Sequence, residues 1–320
     1  MCIRDSENFR QGSLERLGYS YQELRSHRPD LIYVSMPAFG NTGPWKGYLG
    51  YGIGQEQLSG MAHMTGYRGE GPMKSGINHG DPITGSHAAG VLMAALRNRR
   101  KTGKGMFIDV SQQESSVALM GPEVLAYQMT GKEPERLGNR SRWYAPANSY
   151  PCAGEDRWVT IAATNEKQWR NLVQAMDAPG MAEDPRFITA DKRQENHDDL
   201  DAAISEWTVV REASDITQRL QNAGVPSGPV LRGPDLLEDP HYKDRSTFVT
   251  VDHSQVGPKQ YPGIPWKMSG TPGRVRWPSP TLGQHNRDIY GELLGLTGAE
   301  IDLLDQTGII GTKPTGSRII

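Results

Sequence analysis

The stretch "GDPITGSHAAGVLMAALRNRRKTGKGMFIDV", residues Gly80–Val110, predicts one long helix followed by one strand. Apolar residues recur at helical spacing up to Leu96. Basic side chains crowd the last turn and Gly103 ends the helix, which is the polarity expected of a helix C-terminus. At the other end, Asp81 stands at the predicted N-cap and Pro82 at the first helical position.

The segments on either side of this stretch extend the pattern. Upstream, "LIYVSM" (residues 31–36) is a continuous apolar run of the kind that is buried in a parallel sheet. Before it, Ser20 and Glu23 form a capping box that opens a short helix. Downstream, Ser111 and Glu114 form another. Strands that alternate with helices in this way are typical of an α/β domain.

The fold class predicted for the whole chain is α/β, with two domains. Residues 1–130 are expected to form a doubly wound, Rossmann-like large domain, followed by a linker over 131–150. Residues 151–245 carry a strand and several helices, which predicts a smaller α+β domain. The Pro- and Gly-rich residues 246–280 are predicted to be a linker, and the helices of 281–320 are expected to return to the large domain.

Composition excludes several classes of protein. The 320 residues carry a net charge of −2, so no basic surface for nucleic acid is expected. No run of about 18 apolar residues and no signal peptide is found, which predicts a cytoplasmic protein without a membrane partner. Two cysteines, Cys2 and Cys152, are too few for a disulfide framework. The eight histidines show no paired spacing, so no metal is predicted.

Short motifs leave the chemistry open. "GYGIGQ" (residues 50–55) lacks the third glycine of a dinucleotide-binding turn, and no P-loop is present. Ser86 and His87 are adjacent on a helix and therefore point apart, which disfavours a hydrolase. Asp81 has two interpretations, a helix cap or a reactive carboxylate, and its position alone favours the cap.

A resemblance changes this balance. The segments "ENFRQGSLERLGYSYQELRSHRPDLIYVSMPAFGNTGP", "GDPITGSHAAGVLMAALRNRRKTGKG" and "IDVSQQES" resemble family III CoA-transferases of the CaiB/BaiF type, in the same order. "ERLGNR", "AGVPSGPVL" and "LGQHN" continue the similarity toward the C-terminus. The resemblance implies an interlocked homodimer in the full-length form. It also implies that the chain is truncated at its N-terminus, so that the first half of the large domain is missing.

By position, Asp81 matches the catalytic aspartate of this family. The resemblance implies that its carboxylate attacks an acyl-CoA to give an anhydride and then an aspartyl-CoA thioester, from which an acceptor carboxylic acid takes coenzyme A. Acyl-CoA and a carboxylic acid are thus the expected substrates. Contacts to coenzyme A are expected from seven residues: Arg16, Leu17, Phe39, Gly40, Tyr51, Arg97 and Lys104.

Three alternatives accompany this expectation. An α-methylacyl-CoA racemase needs a second base, but Tyr51 and Gly52 stand where those enzymes have histidine and aspartate. A formyl transferase specific for oxalate is disfavoured because Leu49 and Gly52 replace its lysine and acid. The third alternative is an inactive fragment that binds coenzyme A.

Overall fold

The computed structural model describes residues 4–314, whose contacts divide them into two units, the first ending at Val230 and the second beginning at Leu231. The first unit contains two three-stranded sheets, and the second contains a two-stranded sheet. Residues 315–320, part of the predicted C-terminal segment, lie outside the described residues.

The first sheet is parallel. Its strands, in spatial order, are β1 (Arg4–Glu7), β2 (Ile32–Ser35) and β3 (Met106–Asp109). The predicted strand at 31–36 is therefore confirmed. The register places Glu7 beside Ser35 and Ser35 beside Asp109, so all three strands end at one edge with a polar residue.

Seven helices accompany this sheet: α1 (Ser13–Arg16), α2 (Tyr21–His27), α3 (Gly52–Leu58), α4 (Met61–Met64), α5 (Gly80–Thr102), α6 (Gln112–Val117) and α7 (Gly121–Thr130). The long helix is confirmed as α5, and Gly103 ends it with a φ of 70°, a conformation that favours glycine. Ser20 and Ser111 cap α2 and α6 as predicted, each accepting a hydrogen bond from the backbone N–H three residues later.

The predicted start of α5 is wrong. His79 already has helical backbone angles, with φ −65° and ψ −31°, so the helix begins at Gly80. Asp81 is then its second residue and Pro82 its third. An N-cap needs an extended backbone from which its side chain can turn back to the first N–H groups, and Asp81 has no such backbone. His79, the N-cap residue of α5, makes no capping hydrogen bond with its side chain.

The second sheet is antiparallel, with strands β4 (Ala147–Pro151), β5 (Trp158–Ala162) and β6 (Ser227–Pro229) in that order. Four helices accompany it: α8 (Glu166–Ala175), α9 (Ala190–Glu195), α10 (His197–Thr208) and α11 (Ala213–Asn222). The apolar faces of α8, α10 and α11 meet β5 in one large core, which includes Ile161, Trp169, Leu172, Leu200 and Ile204. Strand β4 begins inside the segment predicted as a linker over 131–150.

The second unit contains α12 (Gly233–Glu238), α13 (Pro240–Asp244), β7 (Phe248–His253), β8 (Gly257–Pro262), a π-helical turn (Asp288–Leu293) and α14 (Gly298–Gln306). The antiparallel pair β7–β8 lies within residues 246–280, which were predicted to be a linker. The capping box of Thr297 and Glu300 opens α14, as the sequence predicts.

Together these elements form a mixed α/β fold. Among residues 4–314 the parallel strands follow one another in chain order, without the reversal that makes a sheet doubly wound. The doubly wound, Rossmann-like arrangement stays a prediction, and so do the domain boundaries. In the described part of the chain, every helix is too short or too polar to cross a membrane.

Candidate active site

A cavity of about 530 Å³ lies at the carboxyl edge of the parallel sheet. Ligands of α/β proteins bind at this edge because the loops that follow the strands converge there. The lining residues are Asn8, Phe9, Arg10, Ala38, Tyr48, Leu49, Gly50, Tyr51, Gly52, Asp81 and Gln112. Asn8, Ala38 and Gln112 come within three residues of the ends of β1, β2 and β3, so each strand contributes to the wall.

Asp81 is exposed to this cavity from the first turn of α5. Its carboxylate lies over Gly52, the first residue of α3: a Cβ at position 52 would overlap Oδ2 of Asp81. The carboxylate therefore stands near the N-terminal turns of two helices. The first N–H groups of such turns have no partner within their own helix and can therefore bind an anion.

The backbones around Asp81 are packed closely, with glycine at the contact points. A Cβ at Gly80 would lie 3.0 Å from Cβ of Gln55. A Cβ at Gly50 would lie 2.8 Å from Nε2 of Gln55 and 2.9 Å from Cβ of Ala38. Gln55 itself is fully buried, and its amide bonds to no other side chain or backbone group within residues 4–314. Packing rather than hydrogen bonding holds the Gln55 side chain in place between Gly50 and Gly80.

A polar network connects the ends of the three strands. Asn41 donates its backbone N–H (2.9 Å) and its side-chain amide (2.9 Å) to the Asp109 carboxylate. The same amide donates to Ser35 Oγ at 3.0 Å, and Ser35 donates to Glu7. Glu7 in turn accepts the backbone N–H of Phe9 at 2.8 Å. The network thus fixes the turn after β1 relative to the loop after β2.

The start of α6 holds the same loop from the other side. Gln112 donates its side-chain amide to the carbonyl of Met36 at 3.1 Å and its backbone N–H to that of Pro37 at 3.2 Å. Gln113 donates its backbone N–H to the carbonyl of Ala38 at 3.0 Å. Three successive carbonyls of the loop are therefore bonded, which gives the cavity a fixed wall.

Aromatic rings border the cavity. Trp45 and Tyr48 stack with ring centroids 6.0 Å apart and planes at 17°, while Phe39 meets both rings edge-on. Arg10 reaches across and donates Nη2 to the carbonyl of Gly47 at 2.6 Å. This cluster gives the site an apolar border beside a guanidinium group.

The structure brings some of the predicted site residues together and leaves others apart. Tyr51 lines the cavity with Asp81, and Phe39 and Gly40 belong to its adjoining loop. Arg16 and Leu17 are exposed at the end of α1, where Arg16 Nη2 bonds Ser13 Oγ at 3.1 Å. Their predicted contacts with coenzyme A stay predictions.

Arg97 and Lys104 lie toward the other end of α5. Arg97 follows Asp81 by sixteen residues, which is about 24 Å along a helix axis. Both side chains are exposed, and neither lines the cavity. The predicted contact of these two residues with coenzyme A also stays a prediction.

Sequence reasoning missed Asn8, Phe9, Arg10 and Gln112 as lining residues. The signal for Gln112 was present, because it follows the predicted strand "MFIDV". For the turn after β1 there was no such signal, since the strand reads "RDSE" and has no apolar pattern.

Two other kinds of reactive site, a metal site and a reactive thiol, were sought within residues 4–314. Within residues 4–314, His, Cys, Asp and Glu side chains form no group of three that could hold a metal ion. Cys152 is buried in the core of the second sheet, and burial raises the pKa of its thiol. A raised pKa keeps the thiol protonated and unreactive.

An acidic side chain in an open cavity at the carboxyl edge of a parallel sheet is typical of an α/β enzyme. The family model described as CoA-transferase family III matches residues 6–286. The chain belongs to this family.

Known relatives agree. The chain is 36% identical to succinyl-CoA–D-citramalate CoA-transferase of Chloroflexus aurantiacus, over 95% of this chain and 75% of that protein. It is 30% identical to formyl-CoA:oxalate CoA-transferase of Streptomyces avermitilis, over 95% and 77%. A crystal structure of a CaiB/BaiF family protein from Brucella suis superposes with a TM-score of 0.82 at 30% identity, over 91% of this chain and 75% of that one. These relatives do not favour the racemase alternative.

Proposed function

We propose that this chain moves coenzyme A from an acyl-CoA donor to a free carboxylic acid, with Asp81 as the nucleophile. The observation that carries the proposal is the position of the Asp81 carboxylate, which opens onto a cavity of about 530 Å³ in a chain of this family. Cavities of roughly 300–1,000 Å³ are typical of sites for small molecules.

The proposed reaction has two halves. The Asp81 carboxylate attacks the thioester carbonyl, which expels CoA thiolate and leaves a mixed anhydride. The thiolate attacks the aspartyl carbonyl of the anhydride, giving aspartyl-CoA and releasing the donor acid. The acceptor carboxylate then attacks the carbonyl of aspartyl-CoA, which expels CoA thiolate and forms a second anhydride. The thiolate attacks the acceptor acyl carbon of this anhydride, which forms the new acyl-CoA and regenerates the Asp81 carboxylate.

Coenzyme A is proposed to run along the cavity and away from Asp81. The loop with Phe39 and Gly40, together with Tyr51, would border its thioester end. Arg16, Leu17, Arg97 and Lys104 are proposed for the far end, where cationic side chains suit the phosphates of the nucleotide. No metal is part of the proposal.

The acceptor is proposed to be a dicarboxylic acid. Citramalate and oxalate, which appear in the names of the two relatives, each carry two carboxylates. Arg10 lines the cavity of this chain, and a guanidinium can bind the carboxylate that does not react. Replacing succinate by butyrate as acceptor tests this: a dicarboxylate site prefers succinate, and equal use of both acids contradicts it.

The active form is proposed to be a homodimer in the cytoplasm, interlocked as the resemblance implies. Helix α7 supports this, because it buries none of its residues and exposes Val124, Leu125, Tyr127 and Met129. Exposed apolar faces of this kind mark protein interfaces. Light scattering coupled to gel filtration measures the oligomer, and a monomer that is fully active would contradict the proposal.

Trapping the aspartyl intermediate tests the nucleophile. After incubation with acyl-CoA, hydroxylamine or borohydride should modify Asp81, which peptide mass spectrometry locates. Asp81→Asn should lower kcat by about 10³-fold or more, since no other carboxylate lines the cavity in the described chain. Asp191→Asn is the matched control, because Asp191 is also the exposed second residue of a helix, α9, but lies outside the cavity.

The alternatives give different results. A racemase would exchange the α-proton of acyl-CoA for deuterium without any acceptor acid. An inactive fragment would bind CoA equally well with or without Asp81 and show no turnover. A label on another residue of an active preparation would disprove the role of Asp81.

A further inference from the structure

We propose that Gly52 is a positioning residue for the nucleophile: the missing side chain at position 52 leaves the space in which the Asp81 carboxylate lies. This inference rests on the proposed role of Asp81. It begins from one contact, because a Cβ built on Gly52 would overlap Oδ2 of Asp81 and would come within 3.1 Å of its Cγ. Carbon and oxygen atoms that are not bonded do not approach so closely, so alanine at this position requires something to move.

The backbone is not free to make that movement. The carbonyl oxygen of Gly52 lies 3.5 Å from the Cβ position of Gly80, so the first turns of α3 and α5 are already in contact. Gln55 fills the next layer at 3.0 Å from the same position and is itself fully buried. Moving either helix start away from the other would open a void in this layer, which costs free energy.

The segment that leads into α5 is also fixed. Glu56, buried on α3, accepts the backbone N–H of Ser75 at 2.6 Å and its hydroxyl at 3.0 Å. On the other side of Gly52, Cβ of Asn78 lies 3.2 Å from the Cβ position. The chain before Asp81 is therefore bonded to α3 through Ser75, and Asn78 occupies space beside Gly52.

The Asp81 carboxylate, in contrast, is free to move. It ends a side chain with rotatable bonds and faces an open cavity. Rotation of χ1 or χ2 displaces it into the cavity at little cost in stability. An alanine at position 52 would thus preserve the fold and misplace the nucleophile, by an amount that can reduce a rate about 10²-fold.

The same helix provides a matched control. Gly54 lies two residues further along α3, and nothing lies within 4 Å of its Cβ position. Both Gly52→Ala and Gly54→Ala replace a glycine in the first turn of the same helix, so both remove the backbone freedom of a glycine. Only the first adds an atom beside Asp81.

The experiment measures the rate at which acyl-CoA labels Asp81, in the wild type and in both variants. We expect Gly52→Ala to lower this rate about 10²-fold and Gly54→Ala to leave it unchanged. If the wild type is not labelled at Asp81, the proposed function fails. If Asp81 is labelled in the wild type and equally fast in Gly52→Ala, the positioning role fails while the proposed function stands.

A double-mutant cycle covers the case in which Gly52→Ala is poorly stable. Both Gly52→Ala and Gly54→Ala are introduced into the wild type and into Asp81→Ala, and the midpoint of urea unfolding is measured. If the added methyl group meets the Asp81 side chain, any fall in midpoint caused by Gly52→Ala disappears in the Asp81→Ala background. A fall that is the same in both backgrounds overturns the inference, because the clash would then involve other atoms.

Discussion

The two sheets of the first unit differ in the size of the apolar core that packs beside them. The antiparallel sheet β4–β6 lies against a large apolar core in which Trp169, Leu172 and Ile204 are buried. The cluster of buried residues at the parallel sheet comprises, within the described chain, Ile32 and Val34 of β2 and Ala88 and Ala95 of α5. Apolar burial supplies most of the free energy of folding. The comparison shows that the candidate active site belongs to the region with the smaller apolar core.

A pair of isoleucines tests this contrast with the largest expected effect. Ile161 in β5 and Ile32 in β2 are both fully buried. Ile161→Ala should cost toward the upper end of the range of about 2–5 kcal/mol that is typical of such changes, because its dense surroundings cannot collapse. Ile32→Ala should cost toward the lower end. Urea unfolding measures both, and equal losses would break the comparison.

A buried cation gives the next test. Arg193 of α9 is 2% exposed and donates to the carbonyls of Ala145 at 2.9 Å and Phe187 at 3.0 Å, as well as to Glu166. Arg193→Met fills similar space but leaves two carbonyls without these donors, which should cost about 2–4 kcal/mol. Thermal unfolding measures the loss.

Arg99 of α5 is the matched control in the parallel region. It pairs with Asp30, which is about one-third exposed, so water can replace the interaction. Arg99→Met should therefore lower stability much less than Arg193→Met. A larger loss for Arg99→Met would show that polar contacts, rather than apolar burial, hold the parallel region together.

The smallest effect concerns pH. His197 of α10 is buried, and burial lowers the pKa of its imidazole, although the nearby Asp201 opposes this shift. The unfolded chain, in which histidine has a pKa of about 6.5, therefore binds the proton first as the pH falls. Above that pH the ring is neutral in both states and the folded state keeps its full stability. Below it, protonation of the unfolded chain lowers the free energy of unfolding.

His197→Gln should flatten this dependence of the free energy of unfolding between about pH 7.5 and 5.5. His87→Gln is the control, because His87 is exposed on α5, and it should retain the wild-type slope. If His197→Gln also has the wild-type slope, protonation of His197 does not lower the stability of the antiparallel region. The proposed difference in pH dependence between the two regions is then wrong.

The regions also differ in how well the sequence predicts them. The helix at Gly80–Thr102 and the strand at Ile32–Ser35 could be predicted because their apolar periodicity and end signals agree. The first residue of α5 could not be predicted, because nothing in the residue types around His79 indicates that its backbone is helical. Strands such as β8, "GPKQYP", are equally hidden, since pairing with β7 rather than composition makes them strands.

The parts of the candidate site that depend on a residue's own chemistry could be predicted from the sequence. The parts that depend on which atoms lie nearby could not. Asp81 and Tyr51 could be named from motif positions, and both line the cavity. The role proposed for Gly52 could not be deduced, because a glycine in sequence does not reveal which atoms approach it. Only the path of α3 past the start of α5 brings that space and the carboxylate together.

The register of the parallel sheet has a consequence for how this protein can change length. Glu7, Ser35 and Asp109 stand side by side at the ends of their strands, and the cavity wall starts within three residues of each. One residue inserted in any of these strands would turn its later side chains to the opposite face and carry its part of the wall about 3.3 Å out of line. Insertions and deletions should therefore be rare in these strands among active homologues. The turn between β7 and β8, in contrast, can lengthen without disturbing strand register.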